Sequence, residues 1–129
     1  MMKTYNFLFS IYYTLLKGAA LFVQRARQLT EGQDWSYAEV VRWGSQRDPS
    51  KKLVWMHCAS LGEFEQGRPV LEKLRSDFSE VLILLSFYSP SGFEVRKNTP
   101  LADLVVYLGP DKPKTMEHWV GLVSPTLFI

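Results

Sequence analysis

Two short stretches of this chain carry the side chains that chemistry would need. The first is His57-Cys58-Ala59-Ser60-Leu61-Gly62-Glu63, and the second is Ser86-Phe87-Tyr88-Ser89-Pro90-Ser91-Gly92. Each follows an apolar run and opens into a helical pattern. A strand that turns into a helix through small residues gathers backbone N–H groups at the carboxyl edge of a sheet, where open α/β proteins bind their ligands. A carboxylate there, Glu63, has the chemistry of a general base. Ser60 followed three residues later by Glu63 is also a capping box, in which Glu63 bonds back to the Ser60 amide. Such a cap adds about 1 kcal/mol to a helix. Spacing alone favours the cap, because boxes are common and catalytic carboxylates are rare.

Other small groups converge on the same edge: Ser60, Gly62, Ser86, Ser89, Ser91 and Gly92. Two successive turns of this kind suit an anion- or sugar-binding rim. Neither is a phosphate loop or a GxGxxG fingerprint. Ser60 as a nucleophile would need His57 as its base, and no nucleophile-elbow pattern surrounds it. His57 is expected to shape the turn, and Cys58 to be a buried strand residue rather than a reactive thiol. His118 has no visible partner. Two histidines and one cysteine make no zinc signature, so no metal site is expected.

The elements that hold these turns follow from patterning. With 129 residues the chain suits one domain. Apolar residues make up 47% and charged residues 22%, a folded composition. A net charge of +2 gives no argument for a nucleic-acid partner. The lone cysteine excludes an internal disulfide.

Strands are expected at 53–58, 81–87, 103–108 and from 126. The first helix, from about Gly62 to Phe78, turns Phe64, Gly67, Leu71, Leu74 and Phe78 to the core, with Pro69 kinking it or marking a later start. Ser89-Pro90 opens a short helix through Lys97, and Asp111-Lys112-Pro113 caps one that holds Met116, Trp119, Val120 and Val123. The pattern is βαβαβαβ, an α/β fold with a parallel sheet and right-handed crossovers. The chain stops inside its last apolar run, so a fragment of something larger is expected.

Before residue 51 the reading is different. Tyr5 to Val23 is nearly all apolar, close to the length that spans a bilayer, although Lys17 and Gly18 interrupt it. With Arg25 and Arg27 following it, a hydrophobic membrane-anchoring helix is expected, its body on the cytoplasmic side. A long helix packed on the domain is the alternative. Gly32-Gln33-Asp34 reads as a turn, and Trp35, Ala38, Val40 and Val41 as one face of a weak helix. The division is therefore 1–50, membrane-proximal, and 51–129, globular.

The stretch Trp55–Glu65 together with Ser86–Glu94 closely resembles the N-terminal half of 3-deoxy-D-manno-octulosonic acid (Kdo) transferases. Gly32-Gln33 stands where members commonly show Gly-Arg. The resemblance implies a Rossmann-like sheet forming the N-terminal, acceptor-binding half of a two-domain GT-B glycosyltransferase, on the cytoplasmic face of the bacterial inner membrane. Such enzymes transfer Kdo from CMP-Kdo to a lipid A precursor, with inversion and with neither metal nor cofactor. The resemblance makes Glu63 the general base and sets Ser60, Gly62, Ser89, Ser91 and Gly92 on the substrate side. It also implies that this chain, lacking the donor-binding domain, is inactive alone. Another GT-B nucleotide-sugar transferase, or a non-enzymatic membrane-tethered α/β binding module, are the alternatives.

Overall fold

A computed structural model describes residues 2–19, 23–110 and 112–129, leaving aside the side chains of residues 2, 3 and 25. Among them, helix α1 (Met2–Ala19) and helix α2 (Gln24–Gln46) precede strand β1 (Leu53–Cys58). Helix α3 (Leu61–Asp77), strand β2 (Leu82–Phe87), helix α4 (Pro90–Arg96), strand β3 (Leu104–Tyr107), helix α5 (Pro113–Val123) and strand β4 (Leu127–Phe128) then alternate. The four strands form one sheet in the order β3-β2-β1-β4, every pairing parallel. The expected alternation of strands and helices is therefore the observed one.

β1 and β2 bury both faces, which is why both read as nearly continuous apolar runs. Met56, Cys58, Leu85 and Phe87 point to one core, with Phe64 and Leu71 of α3 and Phe93 of α4. Leu53, Trp55, Leu84 and Val106 point to the other, with Val40 of α2 and Trp119 and Val123 of α5. Arg75 of α3 closes the end of the sheet away from the two turns. Its guanidinium donates to the carbonyls of Leu101 and Val81, both at 3.0 Å, and to Asp103 at 2.6 Å. The same Asp103 oxygen accepts the Ile83 N–H at 2.6 Å, tying β2 to the start of β3.

Several local expectations need correcting. Pro69 neither starts nor ends α3, which runs through it on the exposed side, where the missing donor faces water. Phe78 is exposed rather than a core residue. The cap expected at Asp111 lies outside the described residues, and Lys112 stands at the N-cap of α5 without a side-chain bond.

The largest correction concerns α2. It is one helix through Gly32-Gln33-Asp34, with no turn there. Trp35, Ala38 and Val41 are exposed, and the buried side is Ala26, Leu29, Thr30, Gln33, Ser36 and Val40. The two polar residues in the middle of that side are satisfied internally. Gln33 accepts from the Tyr13 hydroxyl at 2.6 Å and donates to the Leu108 carbonyl at 2.8 Å. Ser36 accepts the Tyr107 N–H at 2.7 Å. Gly32 needs its missing side chain, since a Cβ there would stand 2.5 Å from Tyr107 Cδ2.

The apolar N-terminal run folds as α1, with residues 20–22 outside the described set. No helix among the described residues is long and apolar enough to cross a membrane, and residues 20–22 of the expected run lie outside them. Lys17 and Gly18 interrupt the run before it reaches bilayer length. Tyr13 docks α1 on α2, while Phe7, Leu8, Ile11 and Leu15 remain exposed.

Candidate active site

The two turns singled out by the sequence lie side by side at the carboxyl ends of β1 and β2. Beyond the paired residues, the Ser89 N–H donates to the Ala59 carbonyl at 3.0 Å and the Tyr88 N–H to Cys58 at 3.4 Å. The strand ladder thus continues into the loops and fixes one against the other.

In the first turn, Ser60 has an extended backbone and its Oγ accepts the Glu63 N–H at 3.3 Å. The other half of the expected box is shifted by one residue: Glu63 Oε2 accepts the N–H of Ala59, at 2.6 Å, rather than that of Ser60. This orients the carboxylate across the mouth of the turn, at the positive end of a 17-residue helix, where negative charge is favoured. Glu63 and Gly62 are both exposed, and the nearest atom to a Cβ built on Gly62 is Ser60 Oγ at 3.8 Å. Space in front of this turn is open.

In the second turn, Ser89 Oγ accepts the Gly92 N–H at 3.2 Å and lies 2.8 Å from Ser91 Oγ. Gly92 is different in kind. It is buried, and a Cβ there would stand 2.5 Å from Phe87 Cδ1 and 3.2 Å from the Leu61 nitrogen. Its absent side chain lets α4 approach the start of α3. Arg96 of α4 completes the join by pairing with Glu65 of α3, its guanidinium 5.2 Å from the centre of the Phe64 ring. The structure therefore brings Ser60, Gly62, Glu63, Ser89 and Ser91 to one rim, and puts Gly92 beneath it.

Ser86 does not join that rim. It is fully buried and bonded to Trp55 Nε1 at 2.8 Å, with His57 Nδ1 at 3.0 Å. Cys58 is buried, as expected, and burial followed by the nearby Glu63 charge pushes its thiol up to about 11. At neutral pH it is an inert thiol. His118 does have a partner, the Tyr37 hydroxyl at 2.7 Å from Nε2. Among the described residues no cluster of three or more His, Cys, Asp or Glu side chains is arranged to hold a metal ion.

One feature beside the rim was not visible in the sequence. A groove of about 630 Å³ runs between α1, α2 and the second turn, with Tyr12, Leu16, Leu29 and Tyr88 among its walls and Ser89 and Ser91 at its edge. The apolar spacing of α1 and α2 was legible, but not that the two helices fold back over the turn.

Taken together, the fold and the turns define a parallel α/β domain with a carboxylate and paired hydroxyls at its carboxyl edge. Residues 36–129 match the family model described as 3-deoxy-D-manno-octulosonic-acid transferase (kdotransferase), and the chain belongs to that family, in the part formed by its N-terminal domain. It is 29% identical over 89 residues to the 3-deoxy-D-manno-octulosonic acid transferase of Haemophilus influenzae, covering 67% of this chain and 21% of that protein. To the probable mitochondrial 3-deoxy-D-manno-octulosonic acid transferase of Arabidopsis thaliana it is 32% identical over 82 residues, 63% of this chain and 18% of the relative. The transferase of Aquifex aeolicus is 31% identical over 80 residues, 61% and 22% respectively. The matched region thus spans about a fifth of these relatives' length. No solved structure gives a significant match.

Proposed function

We propose that this chain supplies the acceptor-binding side of a glycosyltransferase that moves Kdo from CMP-Kdo to a lipid A precursor in lipopolysaccharide synthesis. The observation that carries the reading is the Glu63 carboxylate, held open at the head of α3 beside Ser89 and Ser91, in a chain of this family. Glu63 takes the proton of the acceptor hydroxyl as that oxygen attacks the anomeric carbon, and CMP leaves with the electrons of the broken glycosidic bond. Attack opposite the leaving group inverts the centre and needs neither a metal nor a cofactor. The Ala59 N–H, bonded to Oε2, leaves Oε1 for the transferred proton. Ser60, Gly62, Ser89 and Ser91 line the acceptor side, and Gly92 sets the spacing beneath them.

In this reading residues 1–50 form the membrane-proximal part and 51–129 the acceptor domain, a Rossmann-like half of a GT-B enzyme. The donor is held mainly by a second domain, so the chain alone turns over no sugar. The exposed apolar residues of α1 support contact with the cytoplasmic face of a bacterial inner membrane. A lipid acceptor makes that location useful, and no nucleic acid takes part.

The Ala59–Glu63 bond also favours a second reading, in which Glu63 is only a cap in a non-enzymatic binding module. Glu63→Gln in the full-length protein separates the two. Gln retains the oxygen that accepts from Ala59, so the melting temperature should hold, while turnover of CMP-Kdo and a lipid A precursor should fall at least about a hundredfold. Unchanged turnover would leave the cap reading in possession.

A further inference from the structure

The groove of about 630 Å³ beside the rim differs from one side to the other. The second turn and α4 bring Ser89, Ser91 and Glu94 to it, whereas α1 brings Tyr12 and Leu16, and α2 brings Ala26 and Leu29 with Gln28 beside them. Leu29 is buried and Leu16 packs against the same core, so the groove opens directly onto apolar interior. The hydroxyls on this side engage each other, Tyr88 donating to Tyr12 at 3.4 Å. The backbones of α1 and α2 bond within their own helices. A peptide carries a donor and an acceptor at nearly every residue, and apart from Gln28 the helix walls have nothing to offer them. An aliphatic chain needs no such partner.

The approach to the groove is apolar as well. Tyr12 and Leu16 lie one turn apart on α1, and Ile11 and Leu15 form the neighbouring row, exposed together with Phe7 and Leu8. Aliphatic surface on the outer face of α1 thus adjoins the groove wall. At the opposite side stand the Ser89 and Ser91 hydroxyls, 2.8 Å apart, which share the rim with Glu63. A ligand that matches both sides is an amphiphile, with hydroxyls at its head and a hydrocarbon tail.

We infer that the groove seats one acyl chain of the acceptor lipid and thereby holds the acceptor sugar at the Ser89–Ser91 edge. This rests on the acceptor-binding reading proposed above and adds how the lipid is gripped. A cavity of this size encloses most of a small ligand's surface. The exposed row of α1 faces lipid, and the chain passes over that row into the groove.

The test titrates the chain with alkyl β-glucosides of increasing length, from hexyl to dodecyl, each below its micelle-forming concentration. Binding should tighten about fourfold per added methylene until the groove is full, and then level off. Tyr12→Asp, an exposed position on the groove wall, should abolish that dependence, while Phe7→Asp on the outer row should leave it intact. Affinity indifferent to chain length overturns the inference. So does a dependence lost with Phe7→Asp but kept with Tyr12→Asp, which would mean adsorption to the outer face of α1. Dimerisation of the free chain that Tyr12→Asp relieves would assign the groove to a second copy, and would overturn it too. Should the Tyr12 variant fold poorly, methyl spectra of the unaltered chain decide: dodecyl glucoside must shift Leu16, Ala26 and Leu29, and shifts confined to Leu8 and Ile11 refute the groove. The titration involves no turnover. Transfer that survives Glu63→Gln would therefore remove the proposed base and leave the groove, whereas a flat titration would remove the groove and leave the base.

Discussion

The Tyr107 ring rests on the α-carbon of Gly32, so closely that a Cβ there would stand 2.5 Å from Cδ2. Phe93 stacks on the ring with centroids 4.1 Å apart and restricts its retreat on that face. Gly32→Ala should therefore destabilise the chain by about 1–3 kcal/mol, the cost of overpacking. That outweighs the gain of up to about 1 kcal/mol from helix propensity. Gly121→Ala, with nothing within 4 Å, should show the gain alone. Urea denaturation of both variants checks the opposite signs.

The link from Tyr13 through Gln33 to the Leu108 carbonyl fastens α1 to the rest of the domain. Gln33→Leu strands a phenol and a carbonyl, and should cost about 2–4 kcal/mol. Hydrogen exchange should show α1 losing protection before the sheet does. Equal loss throughout would mean that α1 is held by something else.

Arg75 bonds to Leu101, Val81 and Asp103 with one side chain. Arg75→Met keeps the apolar stem but leaves two carbonyls and a carboxylate without that donor. A loss of about 2–4 kcal/mol is expected, in the range for breaking a partly buried charged network. Both turns lie at the other end of the sheet, so the acceptor binding proposed for them should survive in the folded fraction. Thermal melts paired with a binding titration test both halves.

Cys58, Tyr13 and Tyr107, together with the half-buried Tyr88 hydroxyl, which burial also raises, weaken the fold at alkaline pH. Burial, with a nearby carboxylate, raises Cys58 from 9.0 to about 11 and Tyr13 and Tyr107 from 10.0 to about 12. These groups stay neutral in the fold while the unfolded chain ionises, so their contribution is intact below about 9 and is lost as pH rises towards 12. The denaturation midpoint should fall across that window, and Cys58→Ala should flatten its lower part, between 9 and 11. A thiol reagent at pH 8 should react with Cys58 only on unfolding.

How far the sequence could be read depended on the range of the forces involved. Leu53–Cys58 and Ser89-Pro90 were legible because apolar runs, caps and an N1 proline are local signals. The order of strands and helices followed from them. Gly32-Gln33-Asp34 misled because the same residues that make turns also permit a close approach, and the ring that demands it lies 75 residues away. Gln33 and Ser36 broke the apolar period of α2 although both are buried, since their partners, Leu108 and Tyr107, belong to the far side of the fold. At the rim, Ser60 and Glu63 announced a cap by spacing. The bond to Ala59 instead of Ser60, and the burial of Gly92 and Ser86, depend on how β1, β2 and α4 meet.

Ser36 has one more consequence. β3 is an outer strand, and its Tyr107 N–H, turned away from β2, is taken by a side chain of α2 rather than by another strand. On that flank the helix blocks intermolecular strand addition, the usual route from an outer strand to aggregation.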